Sequence, residues 1–220
     1  MKKRICLLIA LISVIFVGCS RTTSVTINIP EIDKGKVYIV YATPDQINNR
    51  QPEVLVDTSF SGGKITISLD SLQFKDKIKE CTMTIVNEEK QFACNLPLPL
   101  EHHKQINVTI SGVSEYMAMK SNLKVSYSGT KHAEDFSEFW QNINKTFVEM
   151  SQNKDNSKVY QQQVDLYKGY LKAYPTSGFP YSIIIGELQM IQDANNPIMK
   201  YCEQLAEQNN DNVWLKYLIS

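Results

Sequence analysis

LKVSYSGTKHAEDFSEFWQNINKTFVEM, residues 123–150, changes its period partway along. Leu123 through Tyr127 alternates apolar and polar side chains, the period of a strand with one buried face. Beyond Ser128-Gly129-Thr130, the residues Phe136, Phe139, Trp140, Ile143, Phe147 and Met150 fall at offsets 0, 3, 4, 7, 11 and 14. That spacing is one face of an α-helix. Glu134, Asp135, Glu138 and Lys145 suit its wet face. The chain therefore reads as a strand-forming part before this stretch and a helix-forming part after it, which is the α+β pattern.

Upstream, Val25 to Ile29 alternates, and Val37-Tyr38-Ile39-Val40-Tyr41 is β-branched and aromatic between Gly35 and Pro44. Val54-Leu55-Val56 follows Pro52. Ser61-Gly62-Gly63-Lys64 is a turn signal, because Gly accepts positive φ without steric cost. Ile65, Ile67 and Leu69 then share a face. Cys81–Val86 and Gln91–Leu96 read as a hairpin around Asn87-Glu88-Glu89, with Leu96-Pro97-Leu98-Pro99 expected to end its second strand, since Pro cannot donate to a ladder. Ile106, Val108 and Ile110 alternate with polar partners. Eight or so short strands at this spacing predict an antiparallel β-sandwich or partly open barrel.

Downstream of Met150, four further helices are expected. Asp155 or Ser157 caps one carrying Val164, Tyr167, Leu171 and Tyr174, stopped by Pro175. Another starts near Phe179-Pro180 and buries Ile184, Ile185, Leu188 and Ile191. Asn196-Pro197 is a cap followed by proline in the first turn, with Met199, Cys202, Leu205 and Ala206 inward. Asn212 to Ile219 supplies a short last helix. The expected architecture is a bundle of four to five helices following the sheet, with a signal peptide over 1–19, a β-domain over 20–127 and a helical region over 128–220.

The first nineteen residues, MKKRICLLIALISVIFVGC, place a basic start before an apolar run from Ile5 to Val17. That run is shorter than the roughly 20 residues a membrane-spanning helix needs, and it has the form of a secretory signal. Phe16-Val17-Gly18-Cys19 resembles the bacterial lipobox, departing from it at Phe16, where Leu is commoner. The resemblance implies acylation at Cys19, cleavage before it, and a stable multi-chain anchor in the cell envelope. Ser20-Arg21-Thr22-Thr23 has no acidic cluster, so the expected site is the outer membrane, facing the periplasm.

Basic and acidic residues number 23 each; the segment before Cys19 carries three of the basic ones, leaving 20 − 23 = −3 for the mature chain. No basic stripe marks a nucleic-acid partner. Beyond Cys19, the cysteines Cys81, Cys94 and Cys202 remain, and no C-x-x-C occurs, so a thioredoxin-type redox centre is excluded. A hairpin turning on Asn87-Glu88 sets Cys81 opposite Cys94 in a non-hydrogen-bonded pair, at a Cα separation of about 4.5 Å that a disulfide accepts. A pivot between Glu88 and Glu89 instead sets Leu96 opposite Cys81 and leaves both thiols free.

Gly35-Lys36-Val37-Tyr38-Ile39, Val56-Asp57-Thr58 with Gly62-Gly63-Lys64-Ile65, the exit Val125 to Thr130, and Tyr174-Pro175-Thr176-Ser177 together carry a further likeness. They resemble the uncharacterised β-domain and helical segment that precede the thioredoxin domain in envelope lipoproteins of the thioredoxin-like (TlpA/ResA-type) thiol–disulfide oxidoreductase group. The departure is that the sequence ends at Ser220 with no C-x-x-C domain, so redox activity is not implied. What is implied is an envelope protein with a protein partner, in the extreme a thioredoxin-like one.

Other sites read blandly. Glu101-His102-His103 lacks metal-ligand spacing and reads as a solvated loop, with His132, beside Glu134 and Asp135, far from it in sequence. Tyr38 to Tyr41 with Tyr160, Tyr167, Tyr170 and Tyr174 has the spacing either of a binding groove or, more simply, of helix-on-sheet packing. No nucleophile motif is present. The expected function is that of a non-catalytic, lipid-anchored binding or scaffolding module without a cofactor. The alternatives are an accessory part of a thiol–disulfide system and a glycan- or peptide-binding lipoprotein.

Overall fold

Every strand expected from alternation joins one curled sheet. The computed structural model describes residues 22–43, 46, 52–69, 78–152, 157–188, 196–209 and 211–219. Cys19, Asp155 and Ile191 lie outside these residues, as do the side chains of Ile185 and Leu188. The strands are β1 (Ser24–Asn28), β2 (Lys34–Tyr41), β3 (Glu53–Ser61), β4 (Lys64–Ser68), β5 (Ile78–Asn87), β6 (Phe92–Glu101), β7 (Gln105–Ser111) and β8 (Lys124–Ser128). Their order in the sheet is β6-β5-β2-β3-β4-β1-β7-β8. All pairs are antiparallel except β1 with β7, so the sheet is mixed and forms the partly open barrel. Gly62 and Gly63, at φ of 72° and 66°, close the β3–β4 hairpin with Ser61 opposite Lys64, the geometry in which both central residues need positive φ.

Six helices complete the described chain: α1 (Val113–Met117), α2 (Lys131–Gln152), α3 (Ser157–Ala173), α4 (Gly178–Leu188), α5 (Pro197–Gln208) and α6 (Val213–Ile219). The α5 cap is as read, since the Asn196 side chain accepts from Ile198 N at 2.9 Å. Asn212 Oδ1 does the same for Trp214 N and Leu215 N at the start of α6. Helix α1 escaped the sequence reading, because five residues carry no periodicity.

The helices close the open side of the barrel. The stripe on α2 buries Phe136, Phe139 and Ile143. Phe136 meets Tyr127 of β8 edge-on at 5.2 Å, and Phe139 stacks on Tyr170 of α3 at 4.5 Å. Sheet and helices share one continuous apolar core that runs from Val25 to Leu215. Burying aromatics of this size supplies about 1.5–3 kcal/mol each, which is why the stripe does not stay wet.

Two strands end the sheet, and each edge is managed differently. Val125 O of β8 accepts from Gln141 Nε2 at 3.3 Å, and Tyr127 N donates to Ser137 Oγ at 3.1 Å, so α2 side chains cap that edge. β6 runs through Pro97 and Pro99 to Glu101 instead of ending at them. A proline is tolerated there because its missing N–H faces away from the ladder. Pro97 O does face outward, since it accepts from the Tyr127 hydroxyl at 2.6 Å.

The β5–β6 register corrects the expected disulfide. Asn87 pairs with Phe92, Ile85 with Cys94, and Cys81 with Leu98. The loop is four residues, not two, with Gln91 at φ 51°. Asn87 sets it: Oδ1 accepts from Lys90 N at 2.5 Å, and Nδ2 donates to Lys34 O at 2.6 Å. The two thiols therefore stand four residues apart along the ladder, roughly 13 Å at a strand's rise, and both are free and buried.

Candidate functional site

Two polar concentrations stand at opposite ends of the β5–β6 hairpin. One is a groove at the turn end. There the Glu31 carboxylate, in the β1–β2 connection, accepts from Gly112 N at 2.6 Å, Ser114 N at 3.1 Å, Val113 N at 3.2 Å and Ser114 Oγ at 3.2 Å. Those donors, led by Ser114 N–H, hold its carboxyl below the ordinary range. The carboxylate thereby pins the N-terminus of α1, whose first amides have no partner within so short a helix. Gly112 at φ 76° and Met119 at φ 56° turn the chain into and out of α1.

Pinned in this way, Tyr116–Asn122 stands opposite Lys90–Ala93 across a groove of about 830 Å³. Tyr116 contacts Phe92 edge-on at 6.3 Å. The rim is unusually apolar for exposed positions: Met119 is 95% exposed, Met117 42% and Tyr116 39%. Lys90, whose Nζ donates to Glu31 O at 2.6 Å, and Lys120 supply its positive charge.

The other concentration is a buried chain of hydrogen bonds at the far end of β5 and β6, roughly 23 Å away along β5. The Glu80 carboxylate accepts from the Ser177 hydroxyl and from Phe179 N. Ser177 Oγ lies 3.5 Å from the Tyr170 hydroxyl, which is 2.8 Å from His132 Nε2. His132 Nδ1 faces Glu101 Oε1 at 3.8 Å, too far to hydrogen-bond, and has no hydrogen-bond partner. Glu101 in turn accepts from the Thr130 hydroxyl. Alongside, Tyr174 donates to Asp135 at 2.6 Å.

Burial explains the protonation of this chain. Desolvation pushes the Glu80 carboxyl up to about 7, against the opposing hydrogen bonds from Ser177 and Phe179. Desolvation also lowers His132 to about 4, with Asp135 working the other way. The imidazole is thus neutral at pH 7. Such a series could pass a proton, but Ser177 has no exposed surface and His132 only 4%, so no substrate approaches either. The cluster joins the sheet to α2, α3 and α4. Its chemistry is that of a structural pin.

The structure sorts the residues singled out from sequence. His132, far from Glu101 in sequence, is buried in the first turn of α2 and meets it there. Sequence gave no sign of that pairing, because the two residues are joined only by the curl of the sheet. His102 and His103 stack on each other at 3.7 Å in an exposed turn, and no group of three potential metal ligands exists among the described residues. Tyr167 and Tyr170 pack in the core, the packing alternative of the two. Cys202 is buried on α5 with Leu205. The groove residues Tyr116 to Asn122 went unnoticed in sequence, and an isolated exposed Met119 offers no pattern to find them by. No family model and no curated protein matches this chain.

Proposed function

We propose that this chain is a non-catalytic binding module of the cell envelope, held to the membrane by lipid on Cys19, which engages a partner through the groove between Lys90–Ala93 and Tyr116–Asn122. The observation that carries the reading is the rim, where three large apolar side chains stand exposed around a groove anchored from beneath by Glu31. Clustered exposed apolar groups mark interaction sites, and methionine adapts to varied partners. A thiol–disulfide role for the chain itself fits less well. Burial pushes the thiols up to about 12 for Cys81, 11 for Cys94 and 12 for Cys202, so the reactive thiolate is scarce at neutral pH.

The test is site-specific photocrosslinking of the full chain in the envelope. A crosslinker at Met119 should give discrete adducts, and one at Val54, 61% exposed on β3, should not. A Met119 position that yields no adduct, or insulin-reduction turnover by the purified protein, would overturn the proposal.

A further inference from the structure

The groove borders the one stretch of β6 whose outward edge carries neither proline nor a side-chain cap. Backbone N–H and C=O groups of alternate residues in a strand point to the same side. Pro97 O points outward to Tyr127, so Ala93 and Asn95 point outward too. The inner parity agrees: Ile85 N–H approaches the Cys94 thiol and lowers its pKa against burial. β6 pairs only with β5 among the described strands. Ala93 and Asn95 are exposed, whereas Pro97 and Pro99 are buried and lack the N–H. The outward edge is thus blunted along its second half and open along its first.

We infer that this open edge receives an extended, acidic segment of a partner polypeptide, which adds as a strand on Ala93–Asn95 and lies in the groove against Tyr116 and Met117. The inference rests on the binding-module reading and names its partner's chemistry. Unpaired N–H and C=O groups along a sheet edge are a template for an incoming strand. Charge selects the occupant. The groove is lined by two lysines, Lys90 and Lys120, and by no carboxylate. Among the described residues neither lysine forms an ion pair.

The probe is a fluorescent hexapeptide alternating Glu and Val, titrated into the purified chain at low salt. Controls are the same peptide with alternate amides N-methylated and a version with Lys for Glu. The acidic probe should bind in the micromolar range, and the other two should bind at least tenfold more weakly. Ala93→Pro extends the Pro97, Pro99 pattern, removes the outward N–H alone, and should weaken binding about fivefold. Lys120→Glu should weaken it about tenfold and flatten its salt dependence. Equal binding of the N-methylated and parent probes overturns the proposal, even where Ala93→Pro fails to fold. So does absence of binding at 1 mM (about three orders of magnitude above 1 μM), or dimerisation of the chain that Ala93→Pro abolishes, which would assign the edge to a second copy. In each case Met119 crosslinking still reads whether the groove has any partner, so the two readings fail separately.

Discussion

Glu80→Gln should make this protein more stable at pH 8 and should uncover a pH dependence that the natural chain conceals. Glu80 titrates near 7 in the folded protein against an ordinary value of 4.5. A carboxyl raised in this way contributes stability that is fully present below 4.5 and lost as pH rises through 7. His132 has the opposite sign. Its value falls from 6.5 to about 4, so its contribution is present above 6.5 and lost as pH falls through 4. Between 4.5 and 6.5 the two slopes, each at most about 1.4 kcal/mol per pH unit, oppose one another. Gln has no charge to desolvate. Its amide can donate to Ser177 Oγ while its oxygen accepts from Phe179 N, as protonated Glu80 does. The variant should therefore gain about 3 kcal/mol at pH 8, but only about 1 kcal/mol at pH 5. For a domain of this size that is a rise in Tm of roughly 5–10 °C at pH 8. Urea unfolding followed by tryptophan fluorescence at both pH values reads the difference directly, and other titrating groups cancel between the two proteins. A variant less stable than the natural chain at pH 8, or one whose gain is the same at both pH values, refutes the reasoning.

Other predictions bear on the edges and the sites. Tyr127→Phe leaves the buried Pro97 carbonyl without its donor and should cost about 1–3 kcal/mol in urea unfolding. Glu31→Ala should accelerate amide exchange at Gly112 and Ser114, and in the natural chain the same protection should persist above pH 4.5 and fade as acid protonates Glu31, whose pKa is lowered by those amides. Iodoacetamide should leave native Cys81 and Cys94 unmodified and label both on unfolding without reductant, whereas a linked peptide pair would contradict the register. Gly35→Ala sets a Cβ 2.6 Å from Val86 O and 2.9 Å from the Phe60 ring, and should lower stability by about 1–3 kcal/mol in thermal melts. Metabolic labelling with a fatty-acid analogue should mark the natural chain and not Cys19→Ala.

Local patterns were enough to place most elements. Alternation at Val25–Ile29 and Leu123–Tyr127, the Gly62-Gly63 turn, the Asn196-Pro197 cap and the stripe from Phe136 each depend on neighbours within a few residues, so sequence alone determined them. The α+β class followed from the change of period after Tyr127. What lay beyond that reach needed the tertiary structure. The β5–β6 register turned on Asn87 bonding to Lys34, 53 residues away, and with it went the expected Cys81–Cys94 bridge. Helix α1 exists because Glu31 reaches its amides across 81 residues or more. β6 continues through Pro97 and Pro99 because it lies at the sheet's edge, and no local pattern says which strand is last. His132 is buried because the curl of the sheet brings Glu101 to it and the packing of α3 on α2 brings Tyr170. Periodicity records which face of an element is apolar; it holds no information about which distant hydrogen-bonding group that face will meet, and both the groove and the buried chain are made of such meetings.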